Sequence, residues 1–229
     1  MASLSQIKEG IKHPGKSLQY LVLGKKNYEI LQNLRNHSCT SGITPSSPLE
    51  SRMIIPTDIH EHLSTLYMLT VEFNLKKILE LGTRTGESTV ALLEAAKEIG
   101  GNVTSIDIDP CLEAKKLITN TNLEDHWNFI QGNDLSIQWN KEIDHLFIDT
   151  SHTYEQTIAE LTKFVPFVKP GGIITLHDII SCPEVLSAIN DYLHDDFLFS
   201  FQILPRACKK HPNQKPLWMH FDNQQNMRM

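Results

Sequence analysis

The sequence contains few cysteines, no long apolar run and no excess of positive charge. Its four cysteines are widely separated and form no CxxC pair, which argues against a structural zinc site and a disulfide framework. They are Cys39, Cys111, Cys182 and Cys208. No apolar stretch approaches the roughly 20 residues that span a bilayer, and the run at 18–24 is too short for a secretory signal. We therefore expect a cytoplasmic protein with no membrane partner.

The charge balance argues against nucleic acid as a binding partner. The chain has 21 basic and 27 acidic residues and a formal net charge of −6, so no general electrostatic attraction draws it toward nucleic acid. A small molecule is the expected partner, and the oligomeric state is left open, including a homo-oligomer. With 229 residues, of which 40% are hydrophobic, the chain suits one domain with a single sizeable core.

From residue 77 onward, short β-branched runs alternate with helical patterns, and each run ends in a polar or acidic residue. This alternation predicts an α/β fold with a parallel sheet and crossover helices on both faces. The five predicted parallel strands are 77–81, 103–107, 127–131, 143–149 and 172–178. Two further runs, 197–204 and 216–221, are joined by only eleven residues, too few for a helical crossover, so we expect them to pair antiparallel. The prediction is a seven-stranded, mostly parallel sheet with the last strand antiparallel.

Apolar spacing predicts the helices. An apolar series that steps by four and three residues predicts a helix that packs one face against the sheet. Its members are Tyr154, Ile158, Leu161, Val165 and Val168. The sequence Pro170-Gly171-Gly172 is then expected to end that helix and turn the chain into the next strand. Further helices are predicted near 58–73 and 183–194.

The segment before the sheet differs in character. A short helical pattern at 26–36 is followed by residues 38–56, which are rich in Ser, Thr, Pro and Gly and which we interpret as a loop. We expect residues 1–57 to form an N-terminal helical extension with a possible lid, and residues 58–229 to form the main domain.

A glycine-containing loop follows the first predicted strand in the stretch "ILELGTRTGEST". A phosphate-binding loop needs four residues between its glycines, and only three separate Gly82 from Gly86. A dinucleotide-binding GxGxxG loop needs a glycine where this chain has Arg84, which we interpret as a solvated side chain. The loop therefore favours a ligand without phosphate. Glu80 and Glu87 could face a cationic ligand that carries an amino group and a sulfonium.

The pattern "ExGTRTGxST" resembles the first motif of class I S-adenosylmethionine-dependent methyltransferases. The resemblance extends over about residues 58–221 and implies a Rossmann-like fold, with residues 58–229 as the methyltransferase domain and S-adenosylmethionine as cofactor. The implied donor-binding residues of this motif are Glu80, Gly82, Thr83, Gly86 and Ser88.

Two later motifs extend the resemblance. "VTSIDIDP" ends a strand with Asp107, about 20 residues after the glycine loop, where a carboxylate accepts hydrogen bonds from ribose hydroxyls. Ile108 follows it. "QGNDLS" resembles the adenine-side motif and implies that Asn133 and Asp134 lie near the base, although both could be simple turn residues.

The stretches "IDTSHTYEQT" and "LHDII" follow the fourth and fifth predicted strands, at the sheet edge where open α/β folds bind ligands. Asp149 and Asp178 can therefore converge, and two carboxylates suit Mg²⁺ or a similar cation. The combined pattern resembles the subgroup with macrolide-sugar O-methyltransferases and, more distantly, catechol O-methyltransferases. In the catechol enzymes a third metal ligand follows the second acid, where this chain has Ile179. His177 or His152 could replace it, and the proposed metal set is Asp149, Asp178 and His177.

His152 is three residues after Asp149, and an unperturbed imidazole titrates near pH 6.5, which makes His152 the candidate general base beside Asp149. It could instead cap the following helix or stabilise Asp149. The expected function is transfer of a methyl group from S-adenosylmethionine to a hydroxyl of a small molecule, with a divalent cation. The alternative is a non-catalytic S-adenosylmethionine-binding regulatory protein, and the loop spacing disfavours an NAD-linked oxidoreductase.

Overall fold

The computed structural model describes residues 47–179, 181–193, 199–203 and 217–221. Its helices are α1 (Pro48–Met53), α2 (Leu63–Glu72), α3 (Glu87–Ile99), α4 (Leu112–Thr119), α5 (Tyr154–Phe164) and α6 (Pro183–Leu193). Short 3₁₀ turns lie at His60–His62, Glu124–His126 and Val165–Phe167. The strands are β1 (Lys77–Leu81), β2 (Asn102–Asp107), β3 (Trp127–Gln131), β4 (Ile143–Ile148), β5 (Val168–Leu176), β6 (Phe199–Ile203) and β7 (Leu217–Phe221).

The sheet has the strand order β3-β2-β1-β4-β5-β7-β6. Strands β1 to β5 are parallel to one another, which confirms that part of the prediction. Strand β7 runs antiparallel to β5 and to β6. The strand order reverses between the neighbouring strands β1 and β4, and this is the position at which open α/β sheets have their binding crevice.

Strand β5 begins earlier than the sequence pattern predicts. It starts at Val168 rather than at residue 172, so Pro170 and the two glycines lie within the strand and do not end the preceding helix. Helix α5 ends at Phe164, and a 3₁₀ turn follows it. The pairing of β4 with β5 shifts register after Ile143, and Gly171 has a φ of 81°, a left-handed conformation that glycine adopts without penalty. This irregularity lets the segment join the sheet.

The buried face of helix α5 agrees only in part with the predicted one. The predicted residues Leu161, Val165 and Val168 are buried in the core, although the last two follow the helix. Tyr154 and Ile158 are only half-buried, and the helix also buries Thr157, Glu160 and Phe164. Two of these additional side chains are polar and have internal hydrogen-bond partners, so hydrophobicity does not reveal them.

Two apolar clusters cover the two faces of the sheet. Ile78 packs with residues of α1, α2 and α3 on one face, and Leu79 packs with residues of α5 and α6 on the other. Neighbouring residues of a strand point to opposite faces, so a continuous apolar run such as β1 serves both clusters. The helices hold the sheet on both sides and leave the loops at its carboxyl edge for ligand binding.

The end of the predicted N-terminal loop is a helix. Ser47 caps α1 by accepting a hydrogen bond from the Glu50 N–H, and Pro48 occupies the first turn. Leu49 is buried against α3, and its N–H donates to Glu94 at 3.0 Å. Ser-Pro-x-Glu is a helix-start signal that the loop interpretation overlooked. The predicted helix at 26–36 and residues 38–46 lie outside the described residues.

Within the described part of the chain, no helix combines the length and the apolar character needed to cross a membrane.

Candidate functional site

The loop after β1 packs closely against the loop after β4 and against helix α4, and this close packing requires two glycines in the loop. A Cβ on Gly82 would lie 2.0 Å from the carbonyl oxygen of Asp149, and Gly82 has a φ of 87°. A Cβ on Gly86 would lie 2.9 Å from that of Ala114, and Gly86 has a φ of 92° where α3 begins. Both positions require glycine, because of the left-handed backbone conformation and the lack of space for a Cβ.

Glu80 supports the loop from within the protein. It is fully buried, and it accepts hydrogen bonds from the hydroxyls of Ser88 at 2.7 Å, Thr89 at 2.8 Å and Ser105 at 2.5 Å. Burial raises the pKa of its carboxyl group to about 7, although these three hydrogen bonds oppose the rise. The expectation that Glu80 and Ser88 face a ligand is therefore corrected, since their functional groups bind each other beneath the loop. Glu80 joins β1, β2 and α3.

Asp107 ends β2 and binds the backbone of the glycine loop. Its Oδ2 accepts the N–H groups of Thr83 at 2.8 Å and Arg84 at 3.0 Å, and its Oδ1 accepts that of Asp109 at 2.9 Å. Burial acts to raise the pKa of Asp107, but these backbone hydrogen bonds outweigh it and lower the pKa below its ordinary value. Asp107 is thus an ionised, half-buried acceptor at the crevice. Its Oδ2 already accepts two N–H groups, whereas its Oδ1 accepts one and has capacity for a further donor.

The residues predicted for the adenine side differ in environment. Ile108 beside Asp107 is 67% exposed, which is unusual for an apolar side chain. Asn133 is exposed, and its Oδ1 accepts the N–H of Leu135 at 2.8 Å, as a turn residue does. Asp134 is buried and accepts hydrogen bonds from Gln156 at 3.2 and 3.3 Å. Asn133 therefore fits the turn alternative, whereas the Asp134 carboxylate is fixed by its hydrogen bonds to Gln156 of α5.

Two acids and two histidines converge after β4 and β5. His177 Nδ1 lies 3.4 Å from Asp149 Oδ1 and 3.4 Å from Asp178 Oδ2. His152 Nε2 lies 3.1 Å from Asp149 Oδ1 and 3.7 Å from Asp178 Oδ2. His177 is buried, and neither of its ring nitrogens has a hydrogen-bond partner of good geometry among the described residues. The structure therefore brings all the predicted residues of the reacting centre together.

In this cluster the two acids stabilise the protonated forms of the histidines, and the histidines stabilise the ionised forms of the acids. Burial acts to lower the pKa of His177, but Asp149 and Asp178 raise it to about 10. The hydrogen bond to Asp149 raises the pKa of His152. Contact with His177 lowers the pKa of Asp178 to about 2, and the two histidines lower that of Asp149 despite its burial. The two carboxylates are ionised and can attract protons or a cation.

The possible metal ligands fall into two groups that share one residue. Asp149, His152 and His177 place ligand atoms within 4.8 Å of one another, and so do His152, Asp178 and Cys182. Asp149 and Asp178 thus belong to different groups, so the predicted set of Asp149, Asp178 and His177 is not itself one of these groups. Ile179 is buried and offers no ligand atom.

Asp178 is held in an unusual conformation. It has a φ of 52°, in the left-handed region, and its Oδ1 accepts a hydrogen bond of 2.6 Å from Ser181. A non-glycine residue in this region costs about 1–3 kcal/mol, and such strain is concentrated at functional sites. The turn after β5 therefore holds the Asp178 carboxylate in a fixed direction.

Two residues of the segment before β1 reach the site and were missed. Asp58 forms a two-point ion pair with Arg84, with distances of 2.6 and 2.8 Å, which corrects the interpretation of Arg84 as merely solvated. His62 is buried, and its ring meets that of His177 edge to face at 5.7 Å between centroids. The only signal for His62 was its place beside the apolar face of a predicted helix. The segment from Asp58 to His62 forms a wall of the site.

Comparison with known proteins agrees with this geometry. Residues 79–179 match the family model described as a methyltransferase domain. The O-methyltransferase TomG from Streptomyces achromogenes, in complex with S-adenosylmethionine, superposes with a TM-score of 0.60 at 12% identity, over 79% of this chain and 92% of that chain. An O-methyltransferase from Bacillus cereus, in complex with S-adenosylhomocysteine, gives a TM-score of 0.56 at 15% identity, over 90% and 96%.

A third similar structure covers nearly the whole chain. The methyltransferase PaMTH1 of Podospora anserina, bound to S-adenosylhomocysteine, has a TM-score of 0.60 at 12% identity, over 97% of this chain and 98% of that chain. At such identities the superpositions establish the shared fold, while the family match covers both the glycine loop and Asp178. Residues 79–179 therefore match a methyltransferase domain, and the chain shares the fold of these three methyltransferase structures.

Proposed function

We propose that this methyltransferase moves the methyl group of S-adenosylmethionine to a hydroxyl oxygen of a small-molecule acceptor. The observation that carries the proposal is the meeting of the glycine loop with the loop of Asp149 and His152 at one sheet edge, where Gly82 touches the Asp149 backbone. A donor held by the first loop would present its methyl group beside the acids and histidines after β4 and β5. The structural similarity to the O-methyltransferases TomG and that of Bacillus cereus supports the choice of oxygen as acceptor atom.

The donor would lie along the crevice above β1 and β2. Gly82, Thr83 and Gly86 would offer the close backbone approach that its methionine part requires, and Asp107 would accept hydrogen bonds from the ribose. Thr83 is buried, and its Oγ1 lacks a hydrogen-bond partner within the described residues, so it can bind a ligand atom. The exposed apolar side chain of Ile108 would cover the adenine, with Asp134 on the other side.

His152 would act as the general base. Its side chain is 30% exposed, so an acceptor can reach it, and Asp149 at 3.1 Å orients the ring and stabilises the imidazolium that forms. Methyl transfer is an in-line displacement. The acceptor oxygen forms a bond to the methyl carbon, the carbon–sulfur bond breaks and leaves a neutral thioether, and the acceptor proton passes to His152. Proton transfer gives His152 a positive charge, and the nearby carboxylates of Asp149 and Asp178 stabilise that charge.

The residues at this centre also fit a divalent cation. Asp149 and His177, which belong to one candidate group, would hold it together with Asp178, whose Oδ2 lies 3.4 Å from His177 Nδ1 but which is outside that group. Among the described residues, the buried ring nitrogens of His177 have no hydrogen-bond partner of good geometry, which supports this assignment. Because imidazole joins the carboxylates, the set suits Mn²⁺ or another transition ion at least as well as Mg²⁺. Such a cation, when bound, makes an acceptor hydroxyl more acidic. Ser181 competes for one oxygen of Asp178, and the proton of His177 must leave first.

The remaining assignments follow from the same proposal. Residues 1–57 would form an N-terminal helical extension that serves as a lid, and residues 58–229 would form the catalytic domain. The acceptor would enter beside the wall that contains Asp58 and His62, since this wall adjoins the reacting centre. A cytoplasmic location and the absence of nucleic-acid partners remain expectations from composition.

The test is methyl transfer from radiolabelled S-adenosylmethionine to a panel of sugars, phenols and other hydroxyl compounds, with and without a chelator. Product on an oxygen atom is the expected result. A chelator should abolish turnover and leave calorimetric binding of the donor nearly unchanged, because the cation would contact the acceptor side. Full turnover in chelator would remove the cation from the mechanism. Donor binding with no transfer to any acceptor would favour the regulatory alternative.

A further inference from the structure

Glu160 is a buried acid whose position a purely structural role does not explain. It lies on α5 and is fully buried. Its Oε1 accepts hydrogen bonds from Thr150 Oγ1 at 2.6 Å and from Gln156 Nε2 at 2.7 Å. Its Oε2 is buried without a hydrogen-bond partner among the described residues. An apolar side chain would cost less at such a position, unless the carboxyl group has a function.

The same carboxyl group connects two loops of the donor site. Thr150 directly follows Asp149 in the loop after β4, so its hydrogen bond ties that loop to Glu160. The Gln156 amide donates to Glu160 and also to both oxygens of Asp134, in the loop after β3. Lys163, on the same helix, donates to the Asp134 carbonyl at 2.6 Å. Hydrogen bonds to residues of helix α5 therefore fix both loops in place.

The protonation of Glu160 agrees with this arrangement. Burial raises the pKa of Glu160 to about 8, and the nearby Asp134 carboxylate raises it as well. At neutral pH the group is therefore an uncharged acid, which avoids repulsion between Glu160 and the neighbouring Asp134 carboxylate. The other charged groups around it are Lys163 on α5 and Asp149 beside Thr150. On α6, Glu184 and Asp191 are hydrogen-bonded to Tyr154 at the far end of α5.

We propose that Glu160 is a positioning residue that ties the loop of Asp134 to the loop of Asp149 and thereby sets how tightly the methyl donor is bound. It touches neither substrate nor donor, and it acts through Asp134 and Thr150. The inference rests on the proposed function, because it takes Asp134 to lie on the adenine side of the donor. It adds to that function a linkage between the adenine end of the donor and the loop that presents the reacting groups.

The test measures the affinity for S-adenosylhomocysteine by calorimetry in wild type, Glu160→Gln and Glu160→Leu. Glutamine copies the uncharged acid, since its amide can donate to Asp134 while its carbonyl accepts from Thr150. It should bind within about twofold of wild type, whereas leucine, which leaves both partners unsatisfied, should lose about tenfold. The matched control is Glu155→Gln, an exposed acid on the same helix, which should change nothing.

The pH profile separates this linkage from simple packing. Between about pH 6.5 and about pH 9 the wild type should lose affinity several-fold as Glu160 ionises beside Asp134, and Glu160→Gln should not share that loss. The amino group of the ligand and His152 titrate in both proteins, so the difference between the two profiles isolates Glu160. If leucine prevents folding, this difference alone decides.

Equal affinities for all three proteins, or a glutamine variant as weak as the leucine variant, would overturn the inference. So would identical pH profiles for wild type and Glu160→Gln. Absence of binding by the wild type is a different result, because it would reject the proposed function and with it the role of Glu160.

Discussion

Gly82 and Asp149 are in such close contact that a Cβ on Gly82 would lie 2.0 Å from the Asp149 carbonyl oxygen. This contact brings the glycine loop next to the cluster of acids and histidines, because the two residues belong to the loops after neighbouring strands β1 and β4. No side chain fits between these loops.

We expect Gly82→Ala to destabilise the protein by more than about 3 kcal/mol, since it combines a left-handed backbone with a clash against main-chain atoms. The control is Gly100→Ala, whose φ is 67° but whose added Cβ would meet nothing within 4 Å. It should cost only the backbone penalty of about 1–2 kcal/mol. Urea denaturation measures both, and equal losses would show that the contact with Asp149 is not tight.

Glu80 predicts a specific dependence of stability on pH. Its pKa is raised to about 7 in the folded protein, against 4.5 as the ordinary value. The folded state therefore binds the proton more tightly, so this contribution is fully present below about pH 4.5 and is lost as pH rises through about 7. The loss amounts to about 3 kcal/mol as an order of magnitude. Glu80→Gln should flatten the wild-type profile of unfolding free energy over this range, and two parallel profiles would contradict it.

Asp107→Ala should weaken S-adenosylmethionine binding at least about tenfold, because hydrogen bonds to a charged acceptor contribute roughly 1.5–3 kcal/mol each. The loop itself should also loosen, since Asp107 binds the N–H groups of Thr83 and Arg84. Asp109→Ala is the matched control, because Asp109 is exposed and contributes only its backbone N–H to Asp107. Unchanged calorimetric affinity in folded Asp107→Ala would remove the ribose assignment.

The ion pair between Arg84 and Asp58 should contribute little to stability despite its two contacts. Their side chains are 64% and 37% exposed, so a double-mutant cycle should give a coupling below about 1 kcal/mol that decreases in high salt. Lys77 and Glu142 form a single-contact exposed pair, and their coupling should be smaller still. A coupling above about 2 kcal/mol would mean that the segment before α2 docks on the loop more firmly than its exposure indicates.

His152→Ala should lower the rate of methyl transfer by about 10² to 10⁴, the usual contribution of a general base. The base must be uncharged, so the wild-type rate should rise with pH, and Asp149 places the midpoint above the ordinary imidazole value because it raises the pKa of His152. The variant should lose that rise. His126→Ala is the control, since His126 contacts the Gly101 carbonyl away from the site. A variant that keeps the wild-type pH profile would exclude His152 as the base.

Local patterns predicted the sheet well where strands are uniform. The bounds of β1 and β3 agree with the predicted ones, because apolar runs bounded by polar residues define buried strands without further information. The start of β5 was wrong, because a proline and two glycines indicate a turn locally, whereas pairing with β4 draws them into the strand. The buried face of α5 was predicted only in part, because Leu161 is buried as expected but the polar residues Thr157 and Glu160 are buried as well.

The order of motifs along the chain was enough to place Asp107, Asp149, His152 and Asp178 at one edge, since parallel strands end on the same side of the sheet. The order of motifs could not show which groups form hydrogen bonds or ion pairs with these polar side chains. By its place in the motif Glu80 resembles a ligand-facing acid, but in the structure it accepts a hydrogen bond from the hydroxyl of Ser105, which is 25 residues away in the sequence. Arg84 appeared unpaired because Asp58 lies 26 residues earlier in a segment without a motif.

The sequence by itself determined the parallel α/β sheet, the glycine loop and the class of ligand that this loop excludes, because these depend on residue type and spacing within one element. Only the tertiary structure decided which polar groups are buried and what they bind. Burial turned Glu80 and Glu160 into internal supports, and the turn after β5 placed His177 between two carboxylates. The physical reason is that a polar side chain takes its role from partners and solvent exposure, and both depend on how distant elements pack.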